Sequence, residues 1–278
     1  MMRIARQIRT LYRTPWAIMP EVHSRIVDVF ERYVGEAGFD PHATGFAQAA
    51  DGGYELMSVR DGIAEIFVRG VIGKNLSASE REFGGYDLSD MSAALTDAVA
   101  DNAVSAILLD VDSPGGVTTG VAEMYDEIRA ASEAKPVIAY TDAVMASAAY
   151  WLSAGAQAIY ATRAAEVGSI GVYMAVLDYS AAYAQEGVKV NLFKTGTHKG
   201  AGYPGTEITE EQKSQFQTEV NEVFAMFRSA VHGFNSGITD ETMQGQIFIG
   251  ESALRAGLVN SIASRAEAIR DLHRRAEV

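Results

Sequence analysis

The chain has 278 residues, 48% of them hydrophobic, and a formal net charge of −13 from 36 acidic against 23 basic residues. This balance argues against a nucleic-acid binder held by phosphate neutralisation, and the apolar fraction is too high for long low-complexity disorder. With no cysteine, disulfides, thiolate catalysis and Cys-based zinc sites are excluded.

Arg3, Arg6, Arg9 and Arg13 interrupt what would be the apolar region of a secretion signal. No stretch reaches the ~18–20 apolar residues that span a bilayer. The expectation is a cytoplasmic chain with no membrane anchor and no nucleic-acid partner. Ile4, Ile8 and Leu11 have helical spacing, and residues 1–35 read as helical with breaks at Pro15 and Pro20. A loop rich in Gly, Ala and Asp follows. Alternation then takes over, with Leu56, Met57 and Val59 before Asp61-Gly62 and Ile63, Ile66, Val68 and Val71 after it, the pattern of a β-hairpin.

Beyond the hairpin, apolar runs alternate with helical patterns. Helices are expected at residues 88–100, 117–134, 147–155, 179–187 and 209–234. Strands are expected at 104–110, 136–140, 158–161, 172–177 and 188–193. The helix from Thr209 opens with a capping-box pair, Thr209 and Gln212. Strands and helices in turn imply an α/β domain with mainly parallel strands, since a crossover helix returns a parallel strand. The expected organisation is an N-terminal helical arm and loop (1–53), one α/β domain (54–262) and a charged helical tail (263–278).

Three segments carry candidate chemistry. Asp112-Ser113-Pro114-Gly115-Gly116 places a glycine turn between a strand and a helix, where backbone N–H groups can approach a ligand. A phosphate cradle would need Gly-x-x-x-x-Gly-Lys-Ser/Thr, which is absent. An oxyanion hole needs only backbone donors, which Gly115 or Gly116 supplies. Ser147 opens a helix, flanked by Ala146, Ala148 and Ala149, which leave room for a peptide carbonyl. It reads either as a nucleophile or as a plain N-cap. A serine nucleophile needs a base. Lys199 lies in a loop with Gly196, Gly200 and Gly202, and a lysine acts as a base only when burial makes it neutral. Lys194 and His198 compete with it, and the local sequence does not choose among them.

The motifs resemble those of the signal peptide peptidase A-like serine peptidases, and within these the phage capsid-assembly peptidases. The resemblance covers roughly residues 54–262. It rests on Asp112-Ser-Pro-Gly-Gly116, Met145-Ala-Ser147-Ala-Ala-Tyr150, Glu166-Val-Gly-Ser-Ile-Gly-Val172 and Lys194-Thr-Gly-Thr-His-Lys199, in family order and spacing. Trp16-Ala-Ile-Met-Pro20 also looks like the beginning of the phage members.

The resemblance implies a ClpP/crotonase-like fold, a spiral of ββα units, here with the N-terminal helical arm. It implies Ser147 as nucleophile, Lys199 as general base, Ser169 as the group orienting the lysine, and backbone N–H groups of Gly115 and Ala148 as the oxyanion hole. Gly116, Gly168, Ile170 and Gly171 would line the path of an extended polypeptide substrate. Lys194 becomes a solvated strand end and His198 a neighbour without a proton-transfer role. No metal or cofactor is called for. Members assemble into homo-oligomeric rings, with the lysine acting within one subunit or across a boundary.

The implied activity is endopeptidase cleavage of scaffold or capsid proteins during phage head maturation, in the host cytoplasm or the prohead, with capsid, scaffold or portal proteins as partners. Neither the membrane anchor of typical signal peptide peptidases nor a scaffold-like extension after the catalytic region is visible, which tilts the expectation toward a soluble phage or prophage enzyme. The alternatives are a soluble enzyme that degrades cleaved signal peptides, a non-proteolytic capsid assembly factor, and a crotonase-like acyl-CoA enzyme.

Overall fold

The computed structural model describes residues 11–36 and 55–277. Ile4 and Ile8 of the expected first helix, and nearly all of the Gly/Ala/Asp-rich loop, lie outside the described residues. The chain forms two compact units. The larger holds Ala17–Gly171 and Met226–Val278, the smaller Met1–Trp16 and Val172–Ala225.

Between Pro15 and Pro20, where the sequence suggested helix breaks, the chain forms a short strand, β1 (Trp16–Ile18). Pro20 then opens α1 (Pro20–Gly35), a position where the missing N–H costs no intrahelical bond. The expected hairpin follows as β2 (Met57–Arg60) and β3 (Ile63–Arg69), antiparallel with Arg60 opposite Ile63. Asp61 and Gly62 both have positive φ, 52° and 77°, as a tight two-residue hairpin turn needs.

From β3 onward one pattern repeats. A long strand leads to a short strand in another sheet, and a helix returns the chain. β3 leads to β4 (Val71–Gly73), then through α2 (Ala78–Glu82) and β5 (Gly85–Asp87) to α3 (Leu88–Ala100). β6 (Ala106–Asp112) leads to β7 (Gly115–Val117) and α4 (Val121–Ala134). β8 (Val137–Thr141) leads to β9 (Val144–Ala146) and α5 (Ala148–Ser153), and β10 (Ala158–Ala161) to β11 (Glu166–Gly168). This is the spiral of ββα units. In the smaller unit lies α6 (Ser180–Gln185). The long α7 (Glu210–Phe234) begins there and ends in the larger unit, which closes with β12 (Ile247–Ile249), α8 (Glu251–Arg255), β13 (Ser261–Ile262) and α9 (Arg265–Ala276).

The longer strands, with the two-residue β13 at one edge, form a six-stranded sheet of order β13-β10-β8-β6-β3-β2, parallel except for the β2–β3 hairpin. The short strands build two smaller sheets, β1-β7-β4-β5 and β12-β11-β9. Ala106 and Leu108 of β6 join Ile63, Ile138, Tyr140 and Ala158 on one face, where Ala268 and Leu272 of α9 pack against them. The charged C-terminal helix thus presents an apolar stripe to the sheet. Its first turn is closed by a capping box between Ser264 and Glu267.

Three expected elements differ. The helix expected from residue 117 begins at Val121, because Gly115–Val117 pairs as a strand and Gly120 turns left-handed at φ 86° before the helix. Residues 172–177 and 188–193 form no regular strand. Trp16 and Tyr173 make one antiparallel bridge, while Phe193 is 96% exposed. Among the described residues that apolar alternation lies beside no continuous strand, and regular β structure needs one to form its ladder. In the smaller unit the expected Thr209–Gln212 pair does cap α7: Thr209 N–H donates to Gln212 Oε1 at 3.2 Å, and Gln212 N–H to Thr209 Oγ1 at 3.3 Å.

Candidate active site

Strands β9 and β11 run parallel with Ala146 opposite Gly168. Each strand is followed directly by a serine, Ser147 and Ser169, and both serines take positive φ, 56° and 49°. Among the described residues only Asp61 and Asn75 share that condition outside glycine. Such a backbone costs about 1–3 kcal/mol and persists only where its surroundings enforce it. Ser147 N–H donates to Gly168 O at 2.7 Å, and Ser169 N–H to Gln246 O at 2.8 Å.

Ser147 is held from the helix side as well. α5 is short but wholly buried, with Trp151 stacked on Phe227 at 4.8 Å. Tyr150 Oη donates to Leu258 O at 2.9 Å, and burial pushes this phenol's pKa up, keeping it a donor. Ser147 is 1% exposed, its side chain caps nothing, and its hydroxyl has no hydrogen-bond partner among the described residues. The plain N-cap reading therefore fails.

Gly115 lies directly against this serine. A Cβ on Gly115 would stand 2.2 Å from Ala17 O, 2.9 Å from Ser147 Cβ and 3.0 Å from Ala148 N. Its φ of 98° is equally closed to a side chain. Ala148 is the first residue of α5, where the helix provides no acceptor for the N–H. Thirty-one residues separate the glycine turn from the helix in sequence. Ser113 closes that gap: its N–H donates to Val144 O at 2.8 Å, and its carbonyl accepts from Ala146 N–H at 3.1 Å. The Ser113 hydroxyl donates to Gly70 O at 2.6 Å and accepts from Gly115 N–H at 3.2 Å. Sequence reasoning singled out the glycines and missed this serine. The only signal was a small hydroxyl residue ahead of a proline turn.

The remaining candidates of the larger unit gather around the same strands. Gly116 is required by crowding, since a Cβ would stand 1.9 Å from Ile72 O. Gly168 takes φ 124°. Ile170 is fully buried and its carbonyl accepts from Gly245 N–H at 3.0 Å. Gly171 has room, since a Cβ there would meet nothing closer than Gly245 Cα at 3.6 Å. Both flanks of β7 and β11 are occupied by the chain's own strands, β1 and β4 beside β7, β9 and β12 beside β11.

Lys199 belongs to the smaller unit, exposed in a turn-rich stretch. Nearby, Lys194 Nζ donates to Thr197 O at 2.8 Å, and Gln212 Nε2 donates to the same oxygen at 3.0 Å, tying the stretch to the start of α7. His198 Nε2 stands 3.8 Å from Glu211 Oε1. Among the described residues no cluster of three His, Asp or Glu side chains is placed to hold a metal, and no helix is long and apolar enough to cross a membrane.

The chain is 31% identical over 214 residues to capsid assembly protease C of Escherichia phage lambda, covering 76% of this chain and 48% of that protein. It is 32% identical over 216 residues to head-tail preconnector protein GP5 of Enterobacteria phage P21, covering 76% and 42%. Protease 4 of Haemophilus influenzae is 29% identical over 219 residues, covering 77% and 35%. The chain thus spans about half or less of the length of these relatives. Among solved structures it is similar to a member of the enoyl-CoA hydratase/isomerase family, with a TM-score of 0.45 and 14% identity over 78% of this chain and 74% of that one. The family description Peptidase family S49 matches residues 129–278, more than half of the sequence, and the chain belongs to that family.

Proposed function

We propose that the protein is a serine endopeptidase in which Ser147 is the nucleophile and Lys199 the general base. The observation that carries this reading is Ser147 itself: a buried hydroxyl with no partner among the described residues, on a positive-φ backbone, at the start of a helix and against Gly115. A buried orphan hydroxyl costs about 1–3 kcal/mol. A serine kept at that cost fits a hydroxyl held ready for chemistry.

In the proposed reaction the neutral Lys199 amine takes the proton from Ser147 Oγ as that oxygen bonds to the substrate carbonyl carbon. The oxyanion accepts from the N–H groups of Ala148 and Gly115, the latter exchanging Ser113 Oγ for it. Collapse breaks the C–N bond, and the lysine's proton passes to the leaving amine. Water, deprotonated by the same lysine, then hydrolyses the ester and restores the serine. Ser169 orients the lysine amine, and Gly116, Gly168, Ile170 and Gly171 line the path of the substrate. Lys199 is exposed in its own unit. Covering by substrate, or by a neighbouring copy in a homo-oligomeric ring, would strip the water that keeps an amine charged. The likeness to phage proteins named for capsid assembly and head-tail connection supports capsid or scaffold proteins as substrates, in the host cytoplasm or prohead.

The test compares wild type, Ser147→Ala and Lys199→Ala on casein and on a capsid scaffold protein, with folding checked by circular dichroism. Each substitution should lower the rate by about 10²-fold or more. Folded alanine variants that cleave at the wild-type rate would refute the assignment.

A further inference from the structure

The nucleophile of a peptidase must meet a peptide from outside, yet Ser147 is 1% exposed. On the far side of Gly115 from β4, close to this serine, lies another part of the same chain. Met19 N–H donates to Pro114 O at 3.0 Å, and β1 runs beside β7 on the edge opposite β4. Ala17 is fully buried, and its carbonyl oxygen, Ser147 Cβ and Ala148 N all lie within 3.0 Å of one point beside Gly115. A peptide carbonyl is thus already parked next to the serine and the helix-start N–H.

We propose that residues 17–19 are a built-in occupant of the place an extended substrate takes along residues 114–117, and that this segment must withdraw before an external polypeptide reaches Ser147. The inference rests on the peptidase reading. β4 is a poor candidate for withdrawal, because it continues directly from β3 of the central sheet and also pairs with β5. β1 is three residues long, sits at the edge of its sheet and is bounded by Pro15 and Pro20. Proline has no N–H to give a ladder, so the pairing cannot extend past either end and releasing it breaks few ladder bonds, while it uncovers the buried Ile18 and Met19 side chains.

The experiment is hydrogen exchange on the wild-type protein, with and without the tripeptide aldehyde acetyl-Leu-Leu-alaninal, which forms a reversible hemiacetal with a serine nucleophile. Adduct formation is followed by mass spectrometry, and the β2 strand, Met57–Arg60, serves as internal reference. With the adduct formed, exchange of the Met19 amide should rise at least ~10-fold while the reference stays unchanged, the signature of local opening. Met19 protection that is the same with and without the adduct overturns the inference and leaves the peptidase reading intact. A wild type that forms no adduct at Ser147 counts against the peptidase reading, and the inference falls with it.

Discussion

Ser147→Ala should make the protein more stable while it destroys the proposed activity. The substitution removes one oxygen and leaves the Cβ that packs near Gly115. At an ordinary N-cap, Ser→Ala costs about 0.5–2 kcal/mol, but the Ser147 side chain makes no capping bond to lose. The buried, unpartnered hydroxyl instead carries a desolvation cost of about 1–3 kcal/mol in the folded state. The positive φ stays, because alanine is no better suited to it than serine. The net gain should be about 1–2 kcal/mol, or a rise in Tm of about 2–4 °C for a chain of this size. Ser153→Ala is the control. Its buried hydroxyl donates to Ala149 O at 2.8 Å, so its removal should cost about 1 kcal/mol. Urea and thermal unfolding of both variants measure the contrast. A Ser147→Ala protein no more stable than wild type would mean that the hydroxyl is satisfied in the folded state, and the chief argument for its role would fail.

Two further substitutions probe the frame. Gly116→Ala drives a Cβ to 1.9 Å from Ile72 O and 2.6 Å from its N. Both are backbone atoms, so β4 and β7 must part, and the urea midpoint should fall by the equivalent of at least about 2–3 kcal/mol. Asp271, on α9, accepts from Tyr160 Oη at 2.7 Å, an effect that outweighs burial, and Arg275 and Arg274 add to it. Its pKa is lowered to about 2. Because the folded-state value is the depressed one, this stabilisation is complete above the unfolded value near 3.8 and is lost as pH falls toward 2. Solvent screening of the two exposed arginine pairs reduces what this shift is worth, so Asp271→Asn should cost about 1 kcal/mol at pH 7, with the gap to wild type closing by about pH 2 in denaturant titrations.

What could be read from the sequence is what local physics decides. The helix Leu88–Ala100 and the strand Ala158–Ala161 stand where their apolar patterns put them. The Asp61-Gly62 turn needed only two residues that tolerate positive φ. What could not be read depends on partners. Residues 188–193 carry the apolar character of a strand but pair with no strand among the described residues, whereas Gly115–Val117 lacks a side-chain pattern and is a strand because β1 and β4 flank it. β1 itself, confined between two prolines, was invisible for the same reason. At the candidate site, periodicity could bring Ser147 to the start of a helix but could not say which way its hydroxyl turns.

That direction is set by the parallel pairing of β9 and β11. In a conventional N-cap the backbone is extended, and the side-chain oxygen folds back onto the N–H groups of the first turn, satisfying donor and acceptor together. Ser147 N–H is instead drawn to Gly168 O, one residue past the last paired position of β9, and the chain must enter α5 through φ 56° and ψ −118°. The side chain no longer reaches the helix start. One backbone distortion thus leaves both an unengaged hydroxyl and uncapped N–H groups beside it, with Gly115 pressed against the pair because Ser113 bridges to β9. A nucleophile and its oxyanion donors need just these two properties at once. Restoring a conventional cap would remove both, so the strain at Ser147 is better understood as the source of the proposed chemistry than as a by-product of the fold.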